Sequence, residues 1–302
     1  MTHTPAPPPT LAIIGGSGLA DALTRDLDDD QANATTHTPD TPFGPPSSPI
    51  TETTWSGTRV LILKRHGPGH TLNPSAVPYR ANLFALKALG ATHVLASGAT
   101  GSLREHLQPG QLVLADQFID KTTKRDNTFY ENAAVHAEFS EPCCPVMRRW
   151  LGAAADRMPD LTVHRSGTYV CMEGPTFSTK AESEMHRQWG GDLIGMTAMP
   201  EARLAREAEL AYALIAMPTD YDCWKPHPPD TNPMGLLQEI IGNLQTASAN
   251  NLALIKEALS DTTLLQEPSP AHDALALGIW SDKSQLDPEE IARLAPLWGR
   301  HF

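Results

Sequence analysis

Short apolar runs alternate along the chain with longer segments in which apolar residues recur every three or four positions. The runs predict buried strands, at residues 11–14, 59–63, 92–96, 112–115, 167–172, 192–196 and 212–217. The periodic segments predict helices, at residues 79–89, 145–157, 179–190, 200–208 and 234–259. This alternation indicates an α/β fold, with a single domain built on a mixed or parallel central sheet flanked by helices.

Both ends of the chain and one internal segment depart from this pattern. Residues 1–10 are rich in Pro and Thr, which predicts a disordered leader without the features of a signal peptide. Residues 26–49 are polar and Pro/Thr-rich, and they predict irregular structure. The α/β domain is therefore expected over residues 11–260, and residues 261–302 are expected to form a C-terminal extension that packs on it.

Composition excludes several classes of function. The chain of 302 residues has a formal net charge of -12, which disfavours a general nucleic-acid or anionic-membrane surface. It contains no apolar run of the ~18 residues needed to cross a bilayer. The four cysteines form no C-x-x-C pair, so their spacing predicts neither a metal site nor a disulfide framework. We expect reduced thiols and a cytoplasmic protein.

Four segments that follow predicted strands are rich in small, polar or charged residues. In sheets of this class, ligands bind where strands end and loops begin. The segments are Gly15-Gly16-Ser17-Gly18-Leu19, Arg65-His66-Gly67, the run from Ser97 to Ser102, and Met196-Thr197 together with the run from Thr219 to Trp224.

The first two segments suit an anion. Glycines let backbone N–H groups approach an anion, and Ser17 adds a hydroxyl. Arg65 offers a planar fork of donors, and His66 beside it offers another. The first segment alone also fits an ordinary tight turn, and the second fits a surface Arg and His after an edge strand. In the third segment, the small residues 97–101 predict a compact turn. Asp21 stands where a dinucleotide fingerprint needs its third glycine. Glycine and proline separate His66 from His70, so a helical metal pair is not expected.

The fourth segment places two carboxylates, Asp220 and Asp222, directly after an apolar strand. An aspartate enclosed by apolar residues can hold a raised pKa and donate or share a proton. An aspartate at the end of a strand is also a common way to begin a loop. The segment alone leaves both interpretations open.

Taken together, these segments resemble the trimeric purine nucleoside phosphorylase family, in its methylthioadenosine-cleaving branch. The resemblance covers roughly residues 11–260 in the same order and leaves both tails outside it. The matching segments are IIGGSGL (13–19), RHG (65–67), YRANLFALKALGATHV (79–94), GSLRE (101–105), QFIDKTTKR (117–125), EGPTFSTKAES (173–183), MT (196–197), MPE (199–201) and TDYDCWK (219–225).

The resemblance implies an enzyme that splits a purine nucleoside with phosphate into the free base and a pentose 1-phosphate. It implies no cofactor and no metal, because inorganic phosphate is a co-substrate. It also implies a homotrimer in which a neighbouring subunit supplies His136 to the site. Whether trimers pair into hexamers stays open.

The resemblance also assigns roles to individual residues. Asp220 serves as the catalytic group at purine N7, and with Asp222 it favours a 6-aminopurine. The phosphate-binding residues implied are Ser17, Arg65, His66, Ala99 and Thr197. The nucleoside-binding residues implied are Phe177, Met196, Asp220, Asp222, His136, Leu236 and Leu237.

Two positions depart from the family pattern. Gly98 stands where the family commonly has a Thr, and Pro233 replaces an aliphatic residue near the pocket for the 5′ group. One alternative is a phosphorylase that prefers adenosine, methylthioinosine or inosine and guanosine. A second is a dinucleotide-dependent oxidoreductase, suggested by the first Gly-rich segment, and a third is a nucleoside-binding or scaffold protein without activity.

Overall fold

The structure, a computed structural model, describes residues 9–16, 19, 22–23, 34–226 and 232–302. Its strands are β1 Thr10–Gly15, β2 Thr35–His37, β3 Ile50–Trp55, β4 Thr58–Lys64, β5 His93–Ser102, β6 Leu112–Leu114, β7 Gln117–Asp120, β8 Val163–His164, β9 Thr168–Cys171, β10 Leu193–Gly195 and β11 Ala211–Asp220. Its α-helices are α1 Tyr79–Ala88, α2 Pro145–Asp156, α3 Lys180–Gln188, α4 Glu201–Glu207, α5 Pro233–Leu259, α6 Pro288–Arg293 and α7 Ala295–Trp298.

All eleven strands of the described residues join one mixed sheet. The main path runs β2-β3-β4-β1-β5-β10-β9-β7, and β11 pairs with both β5 and β6, while β8 pairs with β6. The inner strands β4, β1, β5 and β11 are mutually parallel, whereas β2, β3 and the β5–β10 contact are antiparallel. The mixed α/β sheet predicted from the sequence is confirmed.

Strand β5 organises the sheet because it is longer than its neighbour β1. The first residues of β5, up to Ala96, pair with β1. Its last two residues lie beyond the end of β1 and pair with β10 along the same edge. On its other side it pairs with β11 as far as Gly101 and Asp220. The turn predicted at residues 97–101 is therefore wrong, since the small residues there continue the strand and pair with β11.

Strand β1 contributes side chains to the hydrophobic core on each face of the sheet. It is fully buried, and its side chains alternate between two hydrophobic clusters, as expected of an inner parallel strand. Leu11 and Ile13 join α2 and α5 on one face, whereas Ala12 and Ile14 join α1, α4 and α7 on the other. The helices therefore flank the sheet on both sides and hold the strand ends in place.

The segment predicted to be irregular, residues 26–49, contains part of the sheet. Within it β2 pairs with β3, which pairs in turn with β4. The prediction is wrong for residues 35–37, because pairing with a distant strand outweighs a weak local preference. Residues 24–33 lie outside the described part. The short strands β3, β7 and β8 were not predicted either.

Residues beyond 260 belong to both cores. Leu294, Leu297 and Trp298 are buried against α1, and Leu265 lies in the cluster on the opposite face. Glu209 joins this segment to the domain, because its carboxylate accepts two hydrogen bonds from the Arg300 guanidinium at 2.8 Å. At the other end, β1 already begins at Thr10, and residues 1–8 lie outside the described part.

All four cysteines are free, and three of them are buried. Among the described residues, no group of three or more His, Cys, Asp or Glu side chains is arranged to hold a metal ion. Helices in the described ranges are too short or too polar to cross a membrane.

Candidate active site

One cavity of about 570 Å³ opens where β5, β10 and β11 end. Four of the predicted phosphate-binding residues line it, and so do four of the predicted nucleoside-binding residues. The predicted residues on its wall are Arg65, His66, Ala99, Thr197, Phe177, Met196, Asp220 and Asp222. We call the part around Arg65, His66 and Thr197 the arginine end, and the part around Asp220 and Asp222 the aspartate end.

The Arg65 guanidinium is fully buried at the arginine end. Its Nε and Nη2 donate to the two carboxylate oxygens of Glu201 at 2.7 and 2.8 Å, and Nη1 donates to the Ser97 carbonyl at 2.8 Å. The fork expected to face phosphate is thus held by Glu201. One N–H on each terminal nitrogen remains for a ligand.

Glu201 is the main residue that sequence reasoning missed. Its carboxylate is fully buried, and it also accepts a hydrogen bond from the Tyr212 hydroxyl at 2.9 Å. Burial acts to lower the pKa of Arg65, but Glu201 outweighs it and holds the pKa above its usual value. The arginine end therefore carries a permanent cation in a fixed position. A lone glutamate in the apolar Met-Pro-Glu segment was the available signal.

Gly16 shows how closely the backbone approaches this end. A Cβ atom at Gly16 would lie 2.8 Å from the Ser97 carbonyl oxygen and 3.0 Å from Arg65 Nη1. Only glycine fits there, which agrees with the expectation that a Gly-rich segment follows β1 at the site. Ser17, the next residue, lies outside the described residues, so its role stays a prediction.

His66 is held in one tautomer. Its Nδ1 lies 2.8 Å from the Leu72 carbonyl oxygen, so Nδ1 carries the proton, and Nε2 is the only ring nitrogen left for a ligand. Burial lowers the pKa of His66 to about 4, although the Leu72 carbonyl opposes this, and the neighbouring Arg65 adds to the lowering. His66 is therefore neutral at pH 7 and presents an acceptor, whereas the sequence suggested a donor.

Thr197 and the β5 backbone complete the arginine end. Thr197 is largely buried, and its Oγ1 would lie 3.6 Å from a Cβ atom at Gly98. Ala99, the next residue of β5, pairs with Met217 of β11. The backbone of β5 therefore forms the floor of this end, and the glycine at position 98 leaves room above it.

At the aspartate end, Asp220 and Asp222 are tied to each other. Asp220 Oδ1 accepts the Asp222 backbone N–H at 2.8 Å, and Asp220 Oδ2 accepts the Thr219 hydroxyl at 2.7 Å. Asp222 has a φ of 51°, a left-handed conformation that is uncommon outside glycine. This compact turn brings both carboxylates to the cavity wall.

Met196 and Phe177 line the cavity between the two ends. Arg125 fixes the Met196 backbone, because its Nη1 donates to the carbonyl oxygens of Met196 and Met199, both at 2.6 Å. Phe177 is 81% exposed, so within one chain only one side of its ring meets the protein. Sequence reasoning gave Arg125 no separate role, although it ends the quoted QFIDKTTKR segment.

Three predicted nucleoside-binding residues do not reach the cavity wall within one chain. Leu236 and Leu237 lie near the start of α5, and Leu237 is 50% exposed. Ile240 and Leu244, one and two turns further along α5, line the cavity instead. The helical period predicts a shared face for Leu236, Ile240 and Leu244, but it does not tell which turn lies over the cavity.

His136 lies elsewhere on the surface of the chain. Its ring packs on Trp280 with 4.5 Å between ring centroids, and its backbone N–H donates to the Gly278 carbonyl at 2.8 Å. Trp280 is 71% exposed and Leu277 is 91% exposed. His136 therefore does not line the cavity of its own chain, and its role stays a prediction.

Comparison with known sequences places this site in a family. The sequence model of the phosphorylase superfamily matches residues 10–260. S-methyl-5′-thioadenosine phosphorylase of Thermosynechococcus vestitus is 44% identical over 97% of this chain and 99% of its own length. The enzyme of the same name from Geobacter sulfurreducens is 41% identical over 96% of this chain and 98% of its own length. These alignments extend past residue 260, so the C-terminal segment lies within the similarity, contrary to expectation.

Solved structures give the same result. A methylthioadenosine phosphorylase from an antarctic soil metagenomic library matches with a TM-score of 0.85 and 41% identity, over 96% of this chain and 99% of its own. A point mutant of the adenosine/methylthioadenosine phosphorylase from Schistosoma mansoni, in complex with methylthioadenosine, matches with a TM-score of 0.78 and 34% identity, over 90% and 99% of the two chains.

Proposed function

The chain belongs to the phosphorylase superfamily, and on that premise we propose that it cleaves S-methyl-5′-thioadenosine with inorganic phosphate. The products are adenine and 5-methylthioribose 1-phosphate, which makes the protein a pentosyltransferase of purine and methionine salvage. One observation carries the proposal: a single cavity has a buried, permanently charged arginine at one end and two carboxylates at the other.

The arginine end holds the phosphate. The glycosidic C1′–N9 bond breaks with its electron pair moving to the base, so positive charge develops at C1′. A phosphate oxygen then forms the new bond to C1′. Arg65 supplies its two remaining N–H groups, and Thr197 and the Ala99 backbone supply further contacts. Ser17 is assigned to this cradle from its place in the Gly-rich segment.

His66 takes part through its free ring nitrogen. Because Nδ1–H donates to Leu72, Nε2 accepts a hydrogen bond from a protonated phosphate oxygen or from a sugar hydroxyl. This role differs from that of Arg65, which only donates. The two side chains together therefore select one orientation of the phosphate.

The aspartate end binds the purine and assists its departure. Adenine leaves poorly as an anion, so a proton delivered to N7 or shared with it lowers the barrier, and Asp220 fills this role. The 6-amino group offers N–H donors, and Asp222 accepts from one of them. Phe177 packs on the base, and Met196 lies beside the sugar. A 6-oxopurine presents an oxygen to the same carboxylates and is disfavoured.

The 5′ methylthio group lies against α5. Ile240 and Leu244 form an apolar wall there, in place of the predicted Leu236 and Leu237. Apolar surroundings exclude water, which would otherwise compete with phosphate for C1′.

The working enzyme is a homotrimer in this proposal, and its cavity is closed by His136 from a neighbouring subunit. The exposed Trp280 and Leu277 beside His136 support this arrangement, because apolar side chains of that size favour a protein interface. Light scattering of the purified protein should give three times the mass of one chain, or six times that mass if trimers pair. We place the enzyme in the cytoplasm, and we expect activity without any cofactor, unchanged after dialysis against a chelator.

A substrate panel tests the proposed activity. Methylthioadenosine, adenosine, methylthioinosine and inosine are each incubated with phosphate, and release of the free base is followed. Methylthioadenosine should have the highest kcat/KM, and the two 6-oxopurine nucleosides the lowest.

Faster cleavage of inosine than of methylthioadenosine would overturn the 6-amino assignment. Absence of cleavage of any nucleoside would favour a binding protein without activity, and retained NAD would favour the oxidoreductase.

A further inference from the structure

The loop that carries Asp222 packs against helix α3. The Arg187 guanidinium lies over the Trp224 ring, 3.9 Å from its centroid. Cys223 Sγ donates a hydrogen bond to the Ser178 carbonyl at 3.3 Å, just before the helix begins. Two residues next to Asp222 are thus fastened to α3 and its N-terminus, so this helix sets the position of the loop.

His186 is the buried polar residue on this helix. It is fully buried, and its Nε2 lies 2.9 Å from Nζ of Lys121, which follows β7. A lysine ammonium group only donates, so Nε2 accepts and the ring proton is on Nδ1. Burial and Lys121 lower the pKa of His186, with Asp222 and Glu182 acting in the opposite direction. The ring is therefore neutral, with Nδ1–H as its one donor.

Two complementary polar atoms belong to the helix and the loop that pack together, and the Asp222 carboxylate lies close enough to His186 to act on its ring. Among the described residues, neither His186 Nδ1 nor Asp222 Oδ2 has a hydrogen-bond partner, although both atoms are buried. Ser183 Oγ, one helical turn before His186, is in the same situation. A buried donor or acceptor without a partner costs about 1–3 kcal/mol. A donor and an acceptor on packed elements therefore gain by meeting.

We propose that His186 is a positioning residue for Asp222, and that Lys121 holds the histidine in the tautomer that can act. In the adenine-bound enzyme, His186 Nδ1–H donates to Asp222 Oδ2. This bond turns the other carboxylate oxygen towards the 6-amino group of the purine. The inference rests on the proposed function, because it assigns the 6-amino preference of the same site to a residue outside the cavity wall.

The left-handed conformation of Asp222 makes such support necessary. A non-glycine residue at a φ of 51° is held by its surroundings rather than by its own preference. Within the loop, Asp220 accepts the Asp222 backbone N–H, but this contact does not involve the Asp222 carboxylate. A hydrogen bond from α3 to the carboxylate fixes which of its oxygens faces the base.

Variants at position 186 separate this role from simple packing. His186→Phe keeps the ring shape and removes both nitrogens. His186→Asn keeps an amide group near the place of Nδ1, and His186→Gln keeps one near the place of Nε2. Lys121→Met removes the group that selects the tautomer, and Gln188→Ala at the exposed end of α3 serves as a matched control.

Two readouts are measured for each variant: the affinities for adenine and hypoxanthine by calorimetry, and kcat/KM for methylthioadenosine and methylthioinosine. His186→Phe and His186→Gln should lower the preference for the 6-aminopurine about tenfold, the value of one hydrogen bond. His186→Asn should restore most of it, Lys121→Met should give an intermediate loss, and Gln188→Ala should change nothing.

The inference is overturned if His186→Phe lowers thermal stability but leaves the adenine-to-hypoxanthine affinity ratio at the wild-type value. It is also overturned if Asn and Gln at this position behave alike. Calorimetry reads base preference even without turnover. A wild-type protein that binds adenine but cleaves nothing would therefore contradict the proposed function and leave this inference open to support or rejection.

Discussion

The two ends of the cavity are built in different ways. At the arginine end the polar side chains are buried and fixed by other parts of the chain: Arg65 by Glu201 and Ser97, and His66 by Leu72. At the aspartate end, the carboxylates lie on one turn and are half-buried. Phe177 on the cavity wall is left exposed by a single chain.

This difference matches what each end has to do. Phosphate is small, and its charge is the same in every cycle, so a rigid and preorganised cradle stabilises it without reorganisation. The nucleoside is large, enters and leaves, and needs water excluded around it. An open end that is completed by substrate and by a neighbouring subunit meets those needs. Substitutions at the arginine end should therefore lower the stability of the fold, whereas substitutions at the aspartate end should lower only the catalytic rate.

The largest effect should come from Asp220→Asn. We expect kcat/KM for methylthioadenosine to fall about 10²–10⁴-fold, the usual contribution of a positioned proton donor. Thermal stability should change little, because the asparagine Oδ1 can still accept the Asp222 N–H. Steady-state kinetics and calorimetric melting check the two parts. A variant that keeps its activity would remove Asp220 from the mechanism.

Arg65→Met should break the arginine end in a different way. The unfolding free energy should fall by about 3–5 kcal/mol, because Glu201 is left as a buried, uncompensated charge. The double variant Arg65→Met/Glu201→Leu is the matched control. It should recover most of the stability and none of the phosphate binding, as measured by denaturant unfolding and calorimetry. Equal stability of the single and double variants would contradict a buried ion pair.

Because His66 is neutral in the folded protein, we expect its protonation to make the folding stability depend on pH. Its pKa in the folded protein, about 4, lies below the usual histidine value of 6.5. The unfolded chain therefore binds the proton first as pH falls, and stability should decline between about pH 6.5 and 4, by about 1–3 kcal/mol. His66→Asn, whose amide can still donate to Leu72, should remove this part of the slope in urea unfolding. An unchanged slope would show that His66 does not titrate in this way.

The smallest effect should come from Leu244→Ser at the apolar wall. Weaker contact with the methylthio group should lower the preference for methylthioadenosine over adenosine about tenfold, as is usual for a hydrophobic pocket. Gln245→Ser, at the exposed neighbouring position of α5, is the control and should leave the ratio unchanged. An equal loss for both nucleosides would place the 5′ group elsewhere.

The sequence predicted which residues carry the chemistry at each end, but it did not predict the contacts that fix those residues in place. Arg65 and Asp220 follow apolar strands, and a strand end in a parallel sheet is where ligands bind. Glu201, the Leu72 carbonyl and Arg125 were missed because their partners are more than a helical turn away or come from another element. Such pairings depend on the assembled fold and leave no local pattern.

The local sequence pattern also failed to predict where the strands end. Residues 97–101 are small and glycine-rich, which predicts a turn, yet they extend β5 because β11 pairs with them in parallel. In the same way, α5 shows an apolar face from its sequence period, but only the packed helix shows that Ile240 and Leu244 are the turns over the cavity.

The most direct test of the account follows the phosphate itself. Methylthioadenosine is cleaved with phosphate labelled with ¹⁸O in all of its oxygens, and the sugar product is analysed by mass spectrometry. We predict no adenine release without phosphate, and a 5-methylthioribose 1-phosphate that retains every labelled oxygen, including the one bonded to C1′. Free 5-methylthioribose, formed at the same rate whether or not phosphate is present, would contradict the assignment of the arginine end as the nucleophile site.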